Sequence, residues 1–293
     1  MKGRIFAASL TPLNREHAID DTRFADHVRW LLQNGCDGVV LFGTTGEGNS
    51  FSVDERRAAL DALIDAGIDA GKLVVGTGCC ALPDTVALSR HAVEHGVEAV
   101  LVLPPFYYKN VTDDGLFDTF AALIDTVADP QLRMWLYHIP PMAVVGFSAD
   151  LVARLADSYP QTITGIKDST GDQAHTQMLK ARFPELSVFA GTEGFLLDFL
   201  RQGGAGCISA TANITAPLCA RVRDTQDSDE AETLQERLGK ARLALQKYPA
   251  TAVLKACLAR RTAHADWAIV REPLSAFDAA LLPELDKALE GLL

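Results

Sequence analysis

The chain has 293 residues, 48% hydrophobic and 22% charged, an ordinary globular composition with enough length for a large core and none of the polar bias of a disordered chain. Its net charge of −11 and pI near 5.1, with no cluster of Lys and Arg, exclude a phosphate-gripping nucleic-acid surface. The opening ten residues hold Lys2 and Arg4 but only a short apolar stretch before Thr11-Pro12, so neither a signal peptide nor a membrane span is expected and a cytoplasmic location is.

In chain order, a β-prone run at 5–10 precedes an amphipathic helical pattern at 21–34, and a second run at 38–42 precedes a helix at 53–70. The alternation continues with a strand at 73–76, helix 84–95, strand 99–103, helix 114–128, strand 133–139 and helix 149–157. Strand 162–167, helix 172–182, strand 187–190, helix 194–202 and strand 206–210 complete it. Several helices open on Asp or Ser ahead of the apolar stripe, as N-caps do. The eight strand runs are continuously apolar rather than alternating, which predicts a parallel sheet covered by helices, and eight such units close most economically as a (β/α)₈ TIM barrel of the α/β class. The open doubly wound alternative lacks its Gly-x-Gly-x-x-Gly after the first strand.

The barrel, 1–223, is followed by 224–293: an acidic stretch at 224–230, a long helix to Tyr248, a break at Pro249, a helix at 250–261 and a last one from Leu274. This part reads as a C-terminal helical extension packed on the barrel. Cys36, Cys79, Cys80, Cys207, Cys219 and Cys257 lie mostly in apolar segments without C-x-x-C spacing, so buried free thiols are expected, and no His or other base adjoins Cys79-Cys80.

Barrel enzymes carry their chemistry at the C-terminal ends of the strands, which makes polar residues there the candidates. Lys167 closes the apolar run 162–167 just before Asp168-Ser169-Thr170-Gly171. An enclosed ammonium is costly, and a desolvated lysine is the kind that attacks a carbonyl to form a Schiff base; the plain alternative is a strand-end lysine that reaches solvent or pairs with Asp168. Gly43-Thr44-Thr45-Gly46-Glu47-Gly48 offers hydroxyls and amides to a carboxylate, or is simply a tight βα turn. In Trp135-Leu136-Tyr137-His138-Ile139-Pro140-Pro141, period two sets Trp135 and Tyr137 on one face and His138 on the other, and Tyr137 is a proton-transfer candidate if its face is the lumen. Pro104-Pro105-Phe106-Tyr107-Tyr108-Lys109 forms an aromatic rim. Gly191-Thr192-Glu193-Gly194 and the run Gly206-Cys207-Ile208-Ser209 supply either ligand contacts or turns.

Taken together, Gly43-Thr44-Thr45-Gly46-Glu47, Pro105-Phe106-Tyr107-Tyr108, Tyr137-His138-Ile139-Pro140, Gly165-Ile166-Lys167-Asp168-Ser169 and Gly206-Cys207-Ile208-Ser209 resemble, in order and spacing, the dihydrodipicolinate synthase and N-acetylneuraminate lyase family. The resemblance covers nearly the whole chain. It implies a TIM barrel with a C-terminal helical extension, usually a homotetramer, that makes or cleaves a C–C bond of a 2-oxo acid such as pyruvate through a lysine Schiff base, with no metal and no cofactor. Carried over, it implies Lys167 as the Schiff-base lysine, Tyr137 as general acid and base, and Thr44 in a hydroxyl relay completed by Tyr107 of a neighbouring subunit, with Tyr108 its rival. Thr45 and Gly46 would hold the pyruvate carboxylate, and Ser169, Gly191, Thr192, Glu193, Ile208, Ser209 and Met142 would face the second half of the substrate.

Two positions depart from the synthase branch. Met142 stands where that branch has an arginine for the second substrate's carboxylate, so a 2-oxo-3-deoxy sugar acid is the expected substrate class, with condensation of pyruvate and aspartate semialdehyde the alternative. His138 replaces the usual Asn and reads as a structural substitution, since period two turns it from Tyr137. A metal-dependent barrel lyase would rest on His91-x-x-Glu94-His95, which lies mid-helix away from the strand ends and reads as a solvated helix face. A binding protein without activity is the remaining alternative, and the presence of Lys167 and Tyr137 speaks against it.

Overall fold

Strands buried on both faces need no polar alternation, and the eight apolar runs form a closed parallel barrel in sequence order. The computed structural model describes residues 3–292, so the opening Met1 and Lys2, and Leu293 at the end of the extension, lie outside the described residues. The strands are β1 (Arg4–Ala8), β2 (Gly38–Leu41), β3 (Leu73–Gly76), β4 (Ala99–Val102), β5 (Met134–His138), β6 (Ile163–Asp168), β7 (Ser187–Ala190) and β8 (Gly206–Ser209). Around them lie α1 (Asp21–Gln33), α2 (Val53–Asp65), α3 (Leu82–Glu94), α4 (Asp113–Val127), the one-turn α5 (Pro140–Ala143), α6 (Ala149–Ser158), α7 (Gln173–Arg182), α8 (Leu196–Arg201) and α9 (Ala212–Asp224). The extension contributes α10 (Ala231–Leu245), α11 (Ala250–Arg261) and α12 (Leu282–Leu289).

Alternation along each strand divides the core in two. Phe6, Val40, Val74, Leu101, Trp135, Tyr137, Phe189 and Ile208 fill the lumen. Ile5, Val39, Val75, Val100, Leu136, Ile166, Val188 and Cys207 face outward into the helical layer. Closure between β8 and β1 demands glycine at 206: its φ is 122°, and a Cβ there would meet the Arg4 carbonyl oxygen at 1.8 Å. A third core joins Leu10 and Ile214 of the barrel to Leu245, Val253, Leu254, Leu258, Trp267 and Leu285, which packs the extension on the barrel.

Several expected boundaries shift for local reasons. β1 stops at Ala8 because the Leu10 amide donates to the Asn213 side chain instead of to a neighbouring strand. α2 ends at Asp65 and not at 70, since Gly67 turns left-handed at φ 80°. α10 ends at Leu245 before the turn at Tyr248, and the last helix begins at Leu282, not Leu274, behind a single 3₁₀ turn capped by Asp278. α9, whose pattern is interrupted by Pro217, is the eighth barrel helix and has no counterpart among the expected elements. Of the cysteines, Cys36, Cys207 and Cys219 are buried as expected, whereas Cys80 is exposed. Among the described residues no helix is long and apolar enough to cross a membrane.

Candidate active site

The register of β5 against β6 decides the site. Tyr137 pairs with Lys167 and His138 with Asp168, so each strand sends one residue of its pair inward and the next outward. Lys167 and Tyr137 are each 4% exposed, and the lysine Nζ stands 4.3 Å from the centre of the Tyr137 ring. Tyr137 Oη lies 3.3 Å from Thr44 Oγ1, which links β5 to the loop after β2. Asp168 is no partner for Lys167. Its carboxylate, on the outer face, accepts the Thr170 amide and hydroxyl at 3.1 Å each, the Thr176 hydroxyl at 2.6 Å and His175 Nδ1 at 3.0 Å.

His138 fills the other half of this outer cluster. Its Nδ1 accepts the Phe147 amide at 2.9 Å and its ring stacks on His175 with centroids 5.1 Å apart. Burial holds its pKa below the ordinary histidine value, the Asp168 carboxylate pulls the other way, and His175 adds to the lowering.

The loop that carries Thr44 and Thr45 is held by the turn after β1 and by the extension. Thr11 Oγ1 donates to the Gly46 carbonyl at 2.7 Å, and Thr251 Oγ1 to the Thr45 carbonyl at 3.2 Å. Glu47, in the left-handed region at φ 58°, is buried in an ion pair with Lys255, accepts the Arg271 amide at 2.8 Å, and so anchors the end of the loop. Burial lowers the Lys255 pKa against the pull of Glu47.

On the β6 to β8 side, the Ser169 amide donates to the His138 carbonyl at 2.8 Å, while its hydroxyl is buried without a hydrogen-bond partner among the described residues. Gly191 donates to the Asp168 carbonyl at 2.6 Å, and a Cβ at 191 would meet Ser169 Oγ at 2.2 Å, so only glycine fits here. Thr192 Oγ1 accepts the Gly194 amide at 3.0 Å in a local turn. Glu193 is fully buried and accepts the hydroxyls of Ser209 and Thr211, with Arg242 Nη1 of α10 at 3.4 Å. Ile208 is fully buried in the lumen. At the rim, Met142 is 66% exposed on α5. Tyr107 and Tyr108 are 73% and 74% exposed and pack edge to face, and within the chain neither reaches Thr44 or Tyr137. Lys109 donates to the carbonyls of Phe106 and Ala143.

Lys167, Tyr137 and Thr44 thus come together at the strand ends, with Ser169 and Gly191 beside them, while Tyr107, Tyr108 and Met142 line the rim. Thr211, Arg242, Thr251 and Lys255 complete the surroundings and carry no signal in the sequence: Arg242, Thr251 and Lys255 reach the site from helices distant along the chain, and nothing marks Thr211, just past β8, as a partner of Glu193. Cys79 gains a neighbour of its own, Arg56 Nη1 at 3.4 Å from Sγ.

Two groups among the described residues have metal-ligand composition. In His138, Asp168 and His175, His138 Nδ1 is engaged by the Phe147 amide and the Asp168 carboxylate by the hydroxyls of Thr170 and Thr176. The other is Asp61, His91 and His95. His91 is buried against α2 rather than lying on a solvated helix face, because Asp61 of α2 draws its ring inward, and Glu94 takes no part.

Residues 1–292 match the model of the Dihydrodipicolinate synthetase family. The chain belongs to this family. A 4-hydroxy-tetrahydrodipicolinate synthase of Rhizobium meliloti is 32% identical over 295 residues, covering 98% of this chain and 97% of the relative. The crystal structure of dihydrodipicolinate synthase from Agrobacterium tumefaciens superposes with a TM-score of 0.92 at 34% identity over 100% of both chains. The structure of YagE, a prophage protein of the family from E. coli K12 in complex with pyruvate, gives 0.88 at 25% identity over 99% of this chain and 98% of that one. The chain is therefore a lyase with the class I aldolase fold of the family.

Proposed function

We propose that Lys167 forms a Schiff base with the 2-oxo group of pyruvate, or of a longer 2-oxo acid, and that the enzyme makes or cleaves the bond between C3 and C4. The observation that carries this reading is an enclosed lysine with no carboxylate partner among the described residues, in register with a tyrosine that reaches Thr44. Lys167 Nζ attacks C2, the carbinolamine loses water, and the imine draws electrons from C3. Tyr137 gives and takes the protons these steps need, with Thr44 relaying them. Thr45 and Gly46 hold the carboxylate. Tyr107 of a neighbouring copy in a homotetramer completes the relay, which accounts for a tyrosine pair left exposed at the rim of one chain. The imine serves as the electron sink, so the scheme calls on neither metal nor organic cofactor.

The preferred second half is the polyhydroxylated chain of a 2-oxo-3-deoxy sugar acid. It would meet Ser169, Gly191, Thr192, Ile208 and Ser209, with Glu193 setting the Ser209 hydroxyl. Met142 offers no charge, and Lys109, which reaches α5 at Ala143, is engaged by two carbonyls. Condensation of pyruvate with aspartate semialdehyde is the second reading, favoured by the full-length similarity to proteins that carry the synthase name. The proposal includes a cytoplasmic location and a barrel, 1–223, that works as one unit with its extension, 224–293.

Borohydride added with pyruvate should attach one reduced pyruvyl group to the peptide containing Lys167. Intact protein that traps nothing, or a Lys167→Ala variant labelled equally, overturns the assignment. A panel of 2-oxo acids screened for pyruvate release then separates the sugar acids from the semialdehyde.

A further inference from the structure

We propose that Asp61, His91 and His95 form a binding site for one divalent late first-row metal ion, with zinc as the fitting occupant, that ties α2 to α3 on the outside of the barrel. The two histidines sit four apart at the end of α3, on one face of the helix. Their Nε2 atoms converge on a single atom of α2, Asp61 Oδ1, at 2.7 Å from His91 and 2.8 Å from His95. The rings meet edge to face at 4.7 Å, and all the ligand atoms lie within 4.8 Å of one another. Two nitrogens and a carboxylate oxygen converging from three side chains are the donor set of an open zinc site, whose fourth position holds water.

Little has to move. Ligands about 2.0–2.2 Å from a tetrahedral zinc stand about 3.3 Å apart, so an ion entering between Asp61 and the two rings opens the present contacts by roughly half an ångström. Asp61 has the freedom to do this, with 49% of its side chain exposed, and His95, at 29%, leaves the entry path and the water position open. Among the described residues neither Nδ1 has a hydrogen-bond partner, so each ring is free to carry its proton there and turn the Nε2 lone pair inward. The site lies at the C-terminal end of α3, where the helix dipole favours a cation, while nearby Arg57 opposes one.

Helices α2 and α3 run from the active-site mouth back to the opposite end of the barrel, with Asp61 in the second half of α2, His91 in the last turn of α3 and His95 at its C-cap. An ion there clamps two helices of the outer layer without touching Lys167.

The test uses the full chain, stripped of metal and titrated with Zn²⁺ against a chromophoric chelator, with Co²⁺ as a spectroscopic substitute. One equivalent per chain should bind with a dissociation constant below roughly 10 µM, and Co²⁺ should show the d–d absorption of a low-coordinate site. His95→Gln, at a partly exposed position that the fold does not depend on, should weaken binding at least the roughly 10- to 100-fold that even an outer-shell change costs. Zn²⁺ should raise the melting temperature of the wild type and not of His95→Gln. Pyruvate trapping at Lys167 should be the same with and without zinc. Equal Zn²⁺ affinity in the wild type, His95→Gln and Asp61→Asn, or no binding below 100 µM on the same scale, would show an ordinary hydrogen-bonded His–Asp–His cluster and overturn the proposal.

Discussion

Among the described residues two lysines are enclosed, and they are opposites. Lys255 is 0% exposed, ion-paired with Glu47 and donating to the Ile269 carbonyl at 2.8 Å, every part of its charge answered by a fixed group. Lys167 is 4% exposed with an aromatic face beside it and no carboxylate partner among the described residues. Burial is common to both, so burial does not mark a reactive amine. What separates them is the missing counter-anion, which costs stability at Lys167 and leaves its nitrogen available to a carbonyl carbon.

The largest expected effect follows directly. Lys167→Met should abolish borohydride trapping and turnover while leaving the denaturation midpoint unchanged or higher, because it removes an unanswered charge from the lumen. Lys255→Met should instead lower the midpoint. If Lys167→Met loses as much stability as Lys255→Met, the two lysines have the same role and the contrast collapses. Next, Tyr137→Phe should keep the fold and lower kcat by roughly 10²–10⁴, the usual span for a general acid–base group; turnover near that of the wild type would return Tyr137 to the core. Lys255→Met should cost about 3–5 kcal/mol by stranding Glu47, and Lys255→Met with Glu47→Gln should regain much of it, measured by urea denaturation. Additive losses in the double variant would mean that the pair is not coupled.

His27 sharpens the comparison from another direction. It is fully buried with Nε2 2.8 Å from Asn213 Oδ1, and burial lowers its pKa to about 4, with the Asn213 hydrogen bond opposing and Arg261 assisting. The unfolded chain, titrating near 6.5, therefore binds more protons between the two values, so stability is full above 6.5 and falls as pH drops toward 4. Taking the protein from pH 7 to 4.5 should cost about 2–3 kcal/mol through this one group, a loss that His27→Gln should escape. Identical pH dependence in both proteins would show that the ring protonates without penalty. The smallest effect concerns specificity. Met142→Arg should raise kcat/KM for aspartate semialdehyde by roughly 10- to 150-fold, the worth of one charge-assisted hydrogen bond, and leave sugar-acid cleavage no better. Efficient semialdehyde condensation by the unaltered protein would instead favour the synthase reading.

The barrel was legible because its evidence is local and repeated: each apolar run declares a strand, and eight of them in alternation with helices leave few closures. The inward placement of Tyr137 and Lys167 was legible for the same reason, since period two belongs to the strand itself. What escaped the sequence are contacts made across great separations. Nothing in the helical pattern of 231–245 distinguishes Arg242, which reaches Glu193, from Arg237 of the same helix, which donates to the Leu292 carbonyl. His91 reads as a solvated helix residue because the helix that covers it, with Asp61 against its ring, lies elsewhere in the chain. Thr211 lies just past β8, where nothing marks it as the second hydroxyl on Glu193.

The anchoring of Glu47 has a consequence for anyone who would redesign the chain by cutting it. The barrel is complete in outline at residue 224, and a minimal enzyme ending there is an obvious engineering target. Such a fragment would keep every strand and still lose the anchorage of the loop after β2, because Thr251, Lys255 and Arg271 are the supports of Thr45 and Glu47. The shortest chain that retains these supports extends through Arg271, so the modular boundary visible in the architecture is not the boundary of the working unit.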